Sequence, residues 1–70
     1  MDRAEHLAWC KKRALEYVPS DLPSAVASMG SDLATHPDTA AAADPALLMI
    51  GMFEIARGPA AVTRWIEGFN

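Results

Sequence analysis

The chain has a single cysteine, no apolar run of membrane-spanning length, and neither lysine nor arginine between Pro19 and Pro45. One cysteine, Cys10, excludes an internal disulfide and suits a reducing compartment. The longest apolar stretch is about a dozen residues, short of the roughly 20 a bilayer requires, and it lacks basic flanks. No membrane association is therefore expected. A secretory leader would be charged and then apolar, and Asp2 and Glu5 interrupt such a pattern, so the expected location is the cytoplasm.

Chemistry-bearing patterns are equally sparse. Gly30, Gly51, Gly58 and Gly68 are scattered, with none between a strand and a helix, which excludes a phosphate-cradling loop. His6 and Cys10 lie four apart on one helical face, with His36 as a third candidate ligand, but structural zinc takes four ligands at spacings of roughly two to five residues. No metal, cofactor or small-molecule substrate is expected. Cys10 reads instead as a small core residue and His6 as a surface one. Glu54 stands alone in an apolar run, where a raised pKa could serve catalysis, but Arg57 is placed to pair with it one turn on. No two titratable groups are spaced to cooperate, so no catalytic residue is expected and the protein reads as a non-enzyme.

What is present is charge of uneven sign and strong helix punctuation. The net charge is −3. Through Val18, Arg3, Lys11, Lys12 and Arg13 outnumber Asp2, Glu5 and Glu16, whereas Pro19 to Pro45 carries four aspartates. Asp21, Asp38 and Asp44 read as helix-starting residues, placed where backbone N–H groups lack partners. Nucleic acid is a weak partner, because a usable basic stripe normally lifts the pI of the whole domain above about 9.

The periodicity predicts one all-α domain over residues 1–70, a small bundle of three to four short helices. Stepping 100° per residue from Asp2 to Tyr17 gathers Ala4, Leu7, Cys10, Ala14, Leu15 and Val18 on one arc and Glu5, Lys12, Arg13 and Glu16 on the other. Pro19 stops this helix. Asp21 and Pro23 start a second, whose apolar positions Leu22, Ala25, Val26, Met29 and Leu33 form one stripe, so the two should pair as an antiparallel hairpin. His36-Pro37 closes the second helix, and Pro37 to Asp44 reads as a connector. Asp44-Pro45 opens a central helix running to Arg57, and Gly58-Pro59 opens a last one, Pro59 to Phe69, with Val62, Trp65, Ile66 and Phe69 on one face.

Within the central helix, Ala46 to Ala56 is apolar on every side except at Glu54. A helix of that kind needs cover all round, which makes it the expected buried centre. A 70-residue chain hides only about 60% of its unfolded surface, however, so part of the cover is expected from a partner, including a homodimer mate. Gly51 predicts close approach of another helix. Trp9 is the conspicuous outlier of the first helix, a large aromatic among Glu5, Lys12, Arg13 and Glu16. Two readings stand side by side: an exposed tryptophan ringed by both signs of charge has the makings of an interface anchor with a polar rim, or the central or last helix folds over it.

The segments Arg13-Ala14-Leu15-Glu16-Tyr17-Val18, Asp21 to Met29, Ser31-Asp32-Leu33, His36-Pro37 and Trp65-Ile66-Glu67-Gly68-Phe69-Asn70 together resemble a family of short, uncharacterised proteins encoded by bacteriophages of actinobacteria. The likeness implies expression in the cytoplasm of an infected bacterium and supplies no catalytic residues. A second likeness, Ala14 to Tyr17 with Asp21 to Ala27, is to a single tetratricopeptide hairpin; one copy cannot form such an array. The expected function is thus a protein-protein interaction module, a phage accessory protein binding a host or phage protein through Trp9, with Lys12, Arg13, Glu5 and Glu16 around it. The alternative is a small nucleic-acid-binding protein using Lys11-Lys12-Arg13 or the last helix.

Overall fold

Residues 2–70 are described by a computed structural model. They form five helices and, among the described residues, no strand: α1 (Arg3–Tyr17), α2 (Leu22–Ala34), α3 (Pro37–Ala40), α4 (Pro45–Ile55) and α5 (Pro59–Glu67). The helix starts follow from side chains that satisfy orphan backbone N–H groups. Asp2 accepts from the Glu5 N–H, Asp21 from the Ser24 N–H and Asp44 from the Ala46 N–H. Pro23, Pro37, Pro45 and Pro59 all fall in first turns, where a missing N–H does no harm.

Two expectations change at the connector. Pro37 to Ala40 is a short helix, and its cap is His36 rather than Asp38: Nδ1 of His36 accepts the Asp38 N–H at 3.1 Å. The physical reason for the extra turn is Thr39. Its hydroxyl is fully buried and donates to the Leu33 carbonyl at 2.7 Å, so the turn closes the open C-terminal end of α2. At the other break, Gly58 has φ of +103°, a backbone conformation that side chains resist, and this sets the angle between α4 and α5.

The core is built by three helices. Cys10 and Ala14 of α1, Val26, Met29 and Leu33 of α2, and Val62 and Ile66 of α5 are buried together. The α1–α2 hairpin is antiparallel as expected, the start of α1 meeting the end of α2 where His6 Nε2–H donates to the Asp32 carbonyl at 2.8 Å. His6 is therefore buried, not a surface residue; its ring is drawn in by that bond and by stacking on His36 at 4.9 Å.

The largest correction concerns α4. It is not the buried centre but an outer layer, packed on α2 and α5 along one side, and Gly51 is its single buried residue. The three amphipathic helices already close a core among themselves, so the helix without a polar face is left outside. Two glycines mark its inner side. Gly30 of α2 receives Leu48, and Gly51 receives the Trp65 ring so closely that a Cβ there would stand 2.6 Å from Trp65 Cζ2. The close approach expected at Gly51 is thus present.

Candidate interaction surfaces

Two exposed faces can be built from the residues upward. The first is the α1 face predicted from Trp9. Glu5, Trp9, Lys12, Arg13 and Glu16 are all exposed on the same side of α1, as steps of three and four residues demand. The indole does not stand free. Arg13, one turn on, lays its guanidinium 4.8 Å from the ring centroid, and His6, one turn back, stacks on it at 5.3 Å. With His36 behind His6, the four side chains form a continuous stack, and Trp9 keeps 36% of its surface.

Arg13 is further committed across the hairpin. Its Nε–H donates to Asp32 Oδ2 at 2.7 Å, and this hydrogen bond, with the carboxylate's charge, raises the guanidinium pKa. Asp32 is buried, with Ser28 Oγ as a second donor at 3.3 Å. Lys11 Nζ donates to the Glu67 carbonyl at 3.2 Å, a cation at the C-terminal end of α5, where the helix dipole favours it. The cluster Lys11-Lys12-Arg13 is therefore divided among three directions rather than gathered into one basic stripe.

Reactive groups are shut away. Cys10 is fully buried, and desolvation, followed by the nearby Asp32 charge, pushes its thiol pKa up, which opposes a nucleophilic thiolate. Among the described residues no three His, Cys, Asp or Glu side chains gather as a metal cluster, although His6 and His36 do come together. No helix among them is long and apolar enough to cross a membrane.

The second face is the outer side of α4. Met49 is 59% exposed, Ile50 48% and Phe53 68%, with Met52 (54%) and Leu47 (41%) on the flanks of this side. On a 100° step, Phe53 lies roughly 160° from Gly51, so the most exposed aromatic points directly away from the buried glycine. Ala46, Met49, Ile50 and Phe53 occupy a single arc of about 100°, the i, i+3, i+4, i+7 spacing of a helix-packing seam. The one acid and one base nearby cancel: Arg57 Nη1 contacts Glu54 Oε1 at 3.3 Å, the expected pair. Beside the seam, Met49, Met52 and Leu48 face Val26, Ala27 and Gly30 of α2 across a shallow apolar groove.

The sequence implies that a partner supplies part of the cover of this helix but not which side stays exposed, because an all-apolar helix has no polar side to orient it. The signal available was Gly51 itself: the residue two positions on, Phe53, had to be on the opposite side. Comparison with models of known protein families, with curated proteins and with solved structures returned no match.

Proposed function

We propose that this protein is a non-enzymatic protein-interaction module whose docking surface is the outer face of α4. One observation carries the reading: five large apolar side chains on a single helix remain uncovered after the chain has closed its own core. Together they expose roughly 500 Å² of apolar surface, in the upper part of the 300–600 Å² typical of the largest patch on a monomer, and such patches are often functional. The exposure is not a product of a loose fold. The total accessible surface is 4117 Å², close to the roughly 4,250 Å² that size scaling gives for a chain of 7.5 kDa.

The α4 face is favoured over the α1 face because its side chains are uncommitted, whereas Trp9 is already stacked by Arg13 and His6. The segments that resemble actinobacteriophage proteins support a setting in the cytoplasm of an infected bacterium and a protein partner encoded by host or phage. Nucleic acid is disfavoured by the dispersal of Lys11, Lys12 and Arg13. The test is photo-crosslinking in the expressing cell, with p-benzoylphenylalanine at position 53 or at position 9. Adducts are expected at 53. Adducts confined to 9 would move the docking role to α1, and none at either position would remove the reading.

A further inference from the structure

The seam on α4 is self-complementary. Resting on the reading of α4 as the docking surface, we propose that its occupant is a second copy of this chain, its α4 lying antiparallel across a two-fold axis between Met49 and Ile50. A two-fold interface uses the same patch on both copies, so residue i must fit residue j and j must fit i. The seam meets that condition by size. Ala46, the smallest member, and Phe53, the largest, stand at opposite ends, so antiparallel pairing sets each Phe53 over the other copy's Ala46. In the middle, Met49 of each copy meets Ile50 of the other, and the flexible thioether adapts to the branched side chain. Parallel pairing would oppose the two phenylalanines and leave a gap between the two alanines.

Charge does not oppose the pairing. At the two ends of α4, Asp44 accepts the Ala46 N–H at 2.7 Å and Arg57 pairs with Glu54 at 3.3 Å, so both charges have partners within their own copy. Antiparallel pairing also sets the two helix dipoles in opposite directions. Between these ends the outer seam bears no charge that a second apolar seam would leave unpaired in the interface.

The area fits a weak dimer. Leu47 and Met52 flank the seam rather than belong to it, so seam-to-seam pairing buries less than about 1,000 Å² in total, the range of a weak or transient interface. A dissociation constant on the order of micromolar or weaker follows, because an interface this small has little surplus over the entropy of association.

The experiment is sedimentation equilibrium of the purified chain, from micromolar to about 1 mM, on the native sequence and on Phe53→Ala, Ala46→Phe and the double substitution. Position 53 is 68% exposed, so the fold should survive, and far-UV circular dichroism checks it. Native chain should dimerise. Phe53→Ala should weaken dimerisation by roughly 100-fold, since two phenylalanines are withdrawn per dimer and each is worth about a factor of ten or more. Ala46→Phe should weaken it by crowding, and the double substitution should restore it, since the large and small ends have merely been exchanged.

A monomer throughout the range, a dimer indifferent to Phe53→Ala, or a double substitution no better than the singles overturns the proposal. The photo-crosslink at position 53 separates the two levels. An adduct of twice the chain mass supports the second copy, a heterologous adduct refutes it while keeping α4 as a docking surface, and no adduct removes both.

Discussion

Replacing Gly51 by alanine tests the packing of α4 through the sign of the effect. In an open helix position this substitution stabilises by about 1 kcal/mol, because alanine gives up less backbone entropy than glycine. At Gly51 the new Cβ would meet three atoms of the Trp65 ring at 2.6, 2.7 and 2.8 Å. Ordinary carbon contacts begin near 3.5 Å, so the ring must retreat by about 1 Å. It is held on two sides, by the bond from its Nε1–H to the Leu47 carbonyl at 3.1 Å and by edge-on packing with Phe69 at 5.0 Å. Overpacking of this kind costs about 1–3 kcal/mol, and loss of the indole hydrogen bond about 1 more. Set against the gain in helix propensity, Gly51→Ala should destabilise by about 1–3 kcal/mol. In urea the midpoint should fall by roughly 1–3 M, and in a thermal scan by roughly 5–25 °C for a chain of this length. Protein concentration must be fixed throughout, since any association shifts apparent stability. The control is Gly30→Ala, whose added Cβ meets only the Leu48 methyls at 3.0 Å, the ends of a flexible side chain. That variant should stay within about 0.5 kcal/mol of the native chain. If Gly51→Ala is as stable as the native protein or more so, the placement of α4 against Trp65 is wrong.

Removing Arg13 should be the most damaging change on the α1 face. Arg13→Ala leaves the buried Asp32 carboxylate with Ser28 alone, at a cost of about 1–3 kcal/mol in chemical denaturation, whereas Lys12→Ala should change stability by less than about 0.5 kcal/mol. Trp9 fluorescence should shift in the first variant and not in the second, since only Arg13 lies over the indole. The Asp21 pKa lies below the usual aspartate range, held down by the Ser24 hydroxyl and then the Ser24 N–H, and the Asp2 pKa is lowered by the Glu5 N–H. A pKa depressed on folding contributes stability above the unfolded value, about 3.9, and loses it as pH falls through the lower folded value. Stability should therefore decline below about pH 4, and Asp21→Ala should flatten that acid limb. Cys10 should resist alkylation at pH 8 in the native chain and react promptly in denaturant, because burial both hides the thiol and raises its pKa. Rapid native labelling would contradict the core assignment.

The sequence disclosed helix boundaries and core faces wherever a residue type has one local meaning. Asp21-Leu22-Pro23 and Asp44-Pro45 announce helix starts by capping chemistry, and the α1 and α2 stripes each have a polar side that orients them. The predicted polar surroundings of Trp9 also hold, with Glu5, Lys12, Arg13 and Glu16 exposed around it. Other features depended on tertiary context. Nothing local says that His6 is covered, because its cover comes from Asp32 and His36 far along the chain. Nor does an acid such as Asp32 in the last turn of α2 reveal that Arg13 will reach it from α1. α4 failed for a different reason: hydrophobicity without periodicity states that burial is wanted but not by whom, and here the rest of the chain had already satisfied itself.

The internal cancellation of Glu54 by Arg57 has a kinetic consequence. A surface whose nearest opposite charges neutralise one another within a single turn casts almost no field into solution, so incoming molecules are not steered toward it. Encounters at α4 should proceed at the unassisted pace, about 10⁵–10⁶ M⁻¹s⁻¹, nearly indifferent to ionic strength. Adding sulfate, which sharpens the exclusion of apolar groups from water, should lengthen the lifetime of whatever forms there without hastening its arrival.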